Sequence, residues 1–159
     1  MRLQRTLKKE IFCSSIGLHT GRKVNMQINP ASADTGIVFV RKDLPNARPI
    51  PADFKSVCDT TLATTIGDNG NTVSTIEHLM SAFCGMGLDN AVVEIDSFEV
   101  PIMDGSARPF VNMLKKVGTR PQGKFKKMLV IKKPVSVKEG EGSAMLLPSN
   151  EFKITYDID

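Results

Sequence analysis

Tryptophan is absent, tyrosine occurs once, and histidine only twice, as His19 and His78. With so few flat rings, and the phenylalanines scattered, there is no aromatic and basic stripe on which nucleobases would stack, so no nucleic-acid partner is expected. No apolar run approaches the ~18 residues of a membrane helix, so no transmembrane segment is expected. The opening residues, Met1-Arg2-Leu3-Gln4-Arg5-Thr6-Leu7-Lys8-Lys9-Glu10, are too charged for a secretory leader. The three cysteines, Cys13, Cys58 and Cys84, are odd in number and far apart. They offer neither a Cys-x-x-Cys pair nor a disulfide framework, which points to a reducing, cytoplasmic setting. Cys58 and Cys84 read as small buried apolar side chains.

What is present is ordinary globular material. The 159 residues are 41% hydrophobic and 24% charged, enough for one domain or one plus part of another. The net charge is +4, spread along the chain except for Lys124, Lys126, Lys127, Lys132 and Lys133. Such a patch suits an anionic substrate such as a nucleotide phosphate; the solvated face of a strand pair is the simpler reading.

Residues 3–13 alternate loosely and read as one strand. Gly17-Leu18-His19-Thr20-Gly21 is a turn bracketed by glycine. Val24, Met26 and Ile28 have half-buried strand spacing, and residues 37–40 form a short apolar strand. Residues 41–56, with three prolines, read as a surface loop. The β-branched run 60–66 predicts a strand closed by the turn Gly67-Asp68-Asn69-Gly70. Ser74 then reads as a helix cap, with Glu77 completing a capping box, Ile76, Leu79, Met80 and Phe83 as the buried stripe, and Gly85 or Gly87 as the stop. Strands are expected over 90–95 and 100–103. A second helix follows, capped by Ser106, with Phe110, Val111, Leu114 and Val117 inward and Gly118 ending it.

These elements predict an α+β fold, a sheet-plus-helices domain over residues 1–118 with a linker over 119–127. Residues 128–159 read as a β-meander, with strands at 128–133, 134–138, 143–148 and 151–158. A few strands with one apolar face and no covering layer make an incomplete second domain. Its bare sheet is expected to be available for self-association with another copy.

The residues that carry chemistry are Glu77 and His78, an adjacent carboxylate and imidazole in the first turn of the predicted helix. A hydrolytic zinc site needs that pair of groups, one to hold metal and one to take a proton from water. The positive end of a helix dipole also suits a neutral imidazole, the form a metal binds. Each residue has a plainer reading. Glu77 can serve only its capping box, and His78 can be a helix-end imidazole. His19 can bond nearby backbone, Leu62 can be core, and Asp104 can order the turn into the second helix by Asx-type bonds.

Gly17-Leu18-His19-Thr20-Gly21, Asp59-Thr60, Ser74-Thr75-Ile76-Glu77-His78-Leu79, Gly87-Leu88-Asp89-Asn90 and Ile102-Met103-Asp104-Gly105-Ser106-Ala107 occur in this order. Together they resemble the UDP-3-O-acyl-N-acetylglucosamine deacetylases, zinc amidases of lipid A synthesis. The resemblance runs from about residue 2 to the end of the chain. It implies two similar α+β domains, of which this chain holds the first and the opening strands of the second. It implies Glu77 as general base and His78 as one zinc (Zn2+) ligand. Leu18, His19, Leu62 and Ala63 are implied beside the acyl substrate, with Asp104 in support. The other two ligands, a His and an Asp, and a further catalytic His have no counterpart here. Gly140 and Gly142 stand at the meander turn, where the family tends to carry a basic residue. The implied partner is a UDP-acyl-glucosamine-type substrate, and the implied whole protein is a cytoplasmic monomer. Two other classes remain open at this stage: a non-catalytic N-terminal piece or binding domain, and a small RNA-binding α+β domain.

Overall fold

The computed structural model describes residues 2–157. Contacts divide the chain into two units, Met1–Lys126 and Lys127–Asp159. The first unit begins β1 (Leu3–Leu7), β2 (Ile11–Ile16), β3 (Lys23–Pro30), β4 (Ile37–Arg41) and β5 (Ile50–Pro51). It continues β6 (Val57–Asp59), β7 (Thr65–Asp68), β8 (Asn71–Val73), α1 (Glu77–Met86), β9 (Ala91–Ile95), α2 (Arg108–Val117) and β10 (Thr119–Phe125). The fold is α+β.

The main sheet has the order β2-β3-β9-β4-β5, antiparallel except where β4 runs parallel to β9. Its register explains the core. Ile11 pairs with Ile28, Ile28 with Val93, Val93 with Phe39, and Phe39 with Ile50. One apolar row therefore crosses all five strands on one face, because strand side chains alternate between faces. Leu79, Ala82 and Phe83 of α1 and Phe110 and Leu114 of α2 join the same buried cluster. Both helices thus bury a stripe at helical spacing in the core that holds this row.

Local chemistry ends the helices where expected. Gly87 takes the left-handed conformation (φ 65°), and Leu88 N–H donates to Phe83 O at 2.9 Å. That closes α1, since only a residue without Cβ enters this region without strain. Lys115 and Lys116 occupy the last turn of α2, and Gly118 N–H donates to Leu114 O at 2.8 Å.

Several expected boundaries differ. Residues 3–13 make two strands in different sheets, because Lys8-Lys9-Glu10 turns the chain between them. The strand expected over 60–66 starts at Thr65. Asp59 Oδ1 accepts from Thr61 N at 3.0 Å and from Thr61 Oγ1 at 2.7 Å, a local turn that competes with the ladder. Residues 100–103 form no strand; Pro101 lacks a donor there, and Ile102 N–H makes one bond, to Ile16 O. Residues 119–125 are not a linker but β10, paired antiparallel to β1. Pro121 and Gly123 are tolerated because this is a two-stranded sheet with an irregular register. Cys58 and Cys84 are exposed rather than buried.

In the second unit β11 (Val135–Glu139) and β12 (Gly142–Leu146) form one hairpin, turning at Gly140-Glu141. The strands expected over 128–133 and 151–157 are absent among the described residues; Ile158 and Asp159 lie outside them. No helix among the described residues is long and apolar enough to cross a membrane.

Candidate functional site

The turn before α1 is built differently from a capping box. Ser74 is not a cap. Its hydroxyl accepts from Thr65 Oγ1 at 2.8 Å, and its backbone pairs with the 98–100 segment. The helix starts at Glu77, and Ile76, the residue before it, offers no side-chain cap. Glu77 is therefore the first helical residue rather than the third, too early to reach back as a capping box requires.

Released from that role, Glu77 closes a different contact. Its Oε2 accepts from Thr64 N–H at 3.1 Å. This bond ties the 60–64 loop to the head of α1, so Ala63 stands beside the residue whose amide Glu77 holds. Leu62, in the same loop, is 80% exposed, which overturns its reading as plain core. The helix N-terminus favours a carboxylate at this position. His78 is half-buried, and its imidazole has no hydrogen-bond partner among the described residues.

The 17–21 loop is tied to the same region through Glu99. Leu18 is 55% exposed, and His19 is exposed. The His19 imidazole is not bonded to nearby backbone among the described residues. Its main-chain N–H instead donates to Glu99, at 2.9 Å to Oε1 and 3.2 Å to Oε2. Thr20 N–H donates to Glu99 Oε2 at 3.0 Å. Thr75 Oγ1 donates to Glu99 Oε1 at 3.0 Å. One buried carboxylate thus joins the loop carrying Leu18 and His19 to the turn that launches Glu77 and His78.

The electrostatics of Glu99 follow from those bonds. Burial raises the pKa of a carboxyl, but the N–H groups of His19 and Thr20 and the hydroxyls of Thr20 and Thr75 outweigh it. The group is held below its ordinary value. Sequence reasoning passed over Glu99. The available signal was a lone acid set against Val100 and Ile102, where burial without partners is costly.

Asp104 bonds within its own turn instead. Its Oδ1 accepts from Ser106 N at 2.9 Å and Ser106 Oγ at 2.7 Å, and Oδ2 meets Arg108. The Ser106 hydroxyl and N–H, then Arg108, lower its pKa. No hydrogen bond joins it to Glu77 or His78 among the described residues. Ser106 takes Arg108 N–H at 3.2 Å, while Ala107 holds the position before α2. A concavity of about 510 Å³ is lined by other residues. Phe12, Asn25, Gln27, Lys42 and Glu94 are among its lining residues, and none of the candidates is.

The sequence pattern of the UDP-3-O-acyl N-acetylglycosamine deacetylase family, LpxC, matches residues 4–159. This chain belongs to that family. A UDP-3-O-acyl-N-acetylglucosamine deacetylase of Syntrophus aciditrophicus is 60% identical over 159 residues, which is 100% of this chain and 50% of that protein. Deacetylases of the same name from Teredinibacter turnerae and Saccharophagus degradans are 53% and 51% identical over 156 residues, covering 98% of this chain and 52% of each. The chain spans about half the length of the curated relatives it matches.

In this chain no group of three or more His, Cys, Asp or Glu side chains able to hold a metal occurs among the described residues. Catalytic zinc needs three protein ligands and an open position. His78 with its neighbours does not meet that need, so the donor set in hand does not by itself fit the metal.

Proposed function

We propose that this chain is the N-terminal half of an enzyme that hydrolyses the acetamide of a UDP-3-O-acyl-N-acetylglucosamine, releasing acetate and leaving the glucosamine amine. In this reading Glu77 is the general base. It takes a proton as water attacks the acetamide carbonyl, the tetrahedral intermediate collapses, and the C–N bond breaks as the amine gains a proton. His78 would supply one ligand of the zinc that the family resemblance implies, with the remaining ligands coming from outside this chain. Leu18 and Leu62, exposed on two loops, suit the acyl chain. His19 and Ala63 lie in the same two loops.

The observation that carries this reading is the geometry of Glu77. One oxygen, Oε2, is committed to Thr64 N–H, and the other has no hydrogen-bond partner among the described residues. The carboxylate is fixed in place yet keeps a lone pair for water. Its neighbour His78 is likewise half-buried and has no hydrogen-bond partner among the described residues.

Glu77→Gln tests the base directly, because the amide oxygen preserves the Thr64 bond while the proton acceptor is lost. In a protein of the relatives' full length carrying this chain, kcat for acetate release is expected to fall ~10²–10⁴-fold with KM little changed. A rate near that of the parent overturns the assignment.

A further inference from the structure

Glu99 is 1% exposed and has no part in the reaction just described. All of its donors come from segments that border the candidate site. His19 and Thr20 belong to the loop of Leu18, and Thr75 lies two residues before Glu77. The main chain adds two more links, Ser74 N–H to Phe98 O at 2.8 Å and Val100 N–H to Ser74 O at 3.1 Å.

Two local oddities are explained by this carboxylate. Thr75 has φ +59°, a left-handed conformation that a β-branched residue rarely adopts. Such a conformation persists only where the surroundings over-determine it, and the bond from Thr75 Oγ1 to Glu99 does so. At Gly17 a side chain would run into Glu99 Oε2 and Thr20 Oγ1, so the loop closes directly over the acid. Ile76 and then the Glu77-His78 pair follow Thr75 without a break. The direction of the first helical turn is therefore set by the dihedral angles that Glu99 holds. A buried acid is an expensive way to gain stability alone, since apolar replacements often serve better. It is an effective way to fix one geometry.

We propose that Glu99 is a positioning residue, which locks Thr75 in its left-handed turn and the 17–21 loop onto the same carboxylate. The base, the imidazole and the substrate loop are then held as one body. This rests on the deacetylase reading of Glu77 and His78.

The test has an arm that needs no catalysis. In the 159-residue chain, Glu99→Gln exchanges an acceptor oxygen for a donor NH₂. Amide hydrogen exchange at His19 and Thr20 is expected to rise at least about tenfold, and the His78 ring resonances to shift, while Ile28 and Val93 in the main sheet stay protected. Thr75→Ser keeps the hydroxyl and is expected to behave as the parent. Thr75→Val lacks it and is expected to repeat the His78 shift. In the full-length protein, Glu99→Gln is expected to lower kcat and raise KM together, for at least about a tenfold fall in kcat/KM at equal folded fraction. Loss of folded protein alone would leave both constants of the folded molecules unmoved.

Unchanged exchange at His19 with an unmoved His78 ring overturns the proposal, whatever the activity. If Glu99→Gln does not fold, the Thr75 pair decides, and identical behaviour of Ser and Val overturns it. A full-length parent with no deacetylase activity, alongside the expected changes in the chain, overturns the functional reading and leaves the brace standing.

Discussion

In the first unit Val24, Met26 and Ile28 alternate with polar neighbours and are buried. In the second, Val135 and Val137 alternate in the same way and are 52% and 65% exposed. The difference lies in what covers each strand, not in the strands themselves. Strand geometry decides which residues share a face, but a face is buried only when another layer lies on it. The first unit brings two helices to its main sheet. Among the described residues the second unit offers one hairpin, and two strands alone are marginal in water. The same contrast explains where a fixed site can form. Glu99 can hold Thr75 and the 17–21 loop because a core surrounds it.

The sharpest way to break this comparison is to cut into the covering layer. Leu79, fully buried in α1, joins the cluster built on the main sheet. Leu79→Ala is expected to cost the first unit about 2–5 kcal/mol, the transfer and cavity terms together, read as a drop in the urea midpoint. A cost under about 1 kcal/mol would mean that helix and sheet do not share one core.

A smaller effect concerns the acid that only the first unit can bury. Because the Glu99 pKa is lower folded than unfolded, its contribution is fully present above the unfolded value. That contribution is lost as pH falls through the folded one. Urea unfolding in steps from pH 7 to pH 3 is expected to show stability falling more steeply in the parent than in Glu99→Gln. Asp43 is also lowered, chiefly by its hydrogen bond from Arg41, and falls in the same direction. It is common to both proteins, so the difference between the two curves isolates Glu99. Parallel curves would mean that the bonds seen at Glu99 do not hold its charged form.

Much of this was legible in the residues. The periods of Val24-Met26-Ile28 and of Leu79-Phe83 placed the core, and Gly118 marked the end of α2; for α1 the residues left Gly85 or Gly87, and the helix runs through Gly85 to stop at Gly87. The family resemblance rested on five motifs read together, and the matched span agrees with it. What stayed hidden has physical causes. The run 60–66 has high strand propensity, yet the Asp59 side chain competes for its backbone. Pro121 and Gly123 read as linker residues because an edge pairing that tolerates them depends on a partner, β1, more than a hundred residues away. The pattern Ser-x-x-Glu suggested a box, but the pairing of Ser74 with the 98–100 segment pulled it into a strand-like position. That long-range pairing is also why Glu99 escaped notice. Its importance comes from donors at positions 19, 20 and 75, which no local window contains.

The mildest change is the most exacting check on the contrast between the units. Val137 lies in β11 opposite Ala144 of β12 and is largely exposed. Val137→Ala removes two methyl groups from a surface that water already covers, so neither a transfer loss nor a cavity arises. The expected cost is under about 0.5 kcal/mol, with the urea midpoint of the first unit unmoved. Amides over residues 135–146 are expected to exchange near the unprotected rate in the 159-residue chain, since an uncovered hairpin opens readily. Slow exchange there, lost in Val137→Ala, would reveal a covering layer and erase the distinction between the two units.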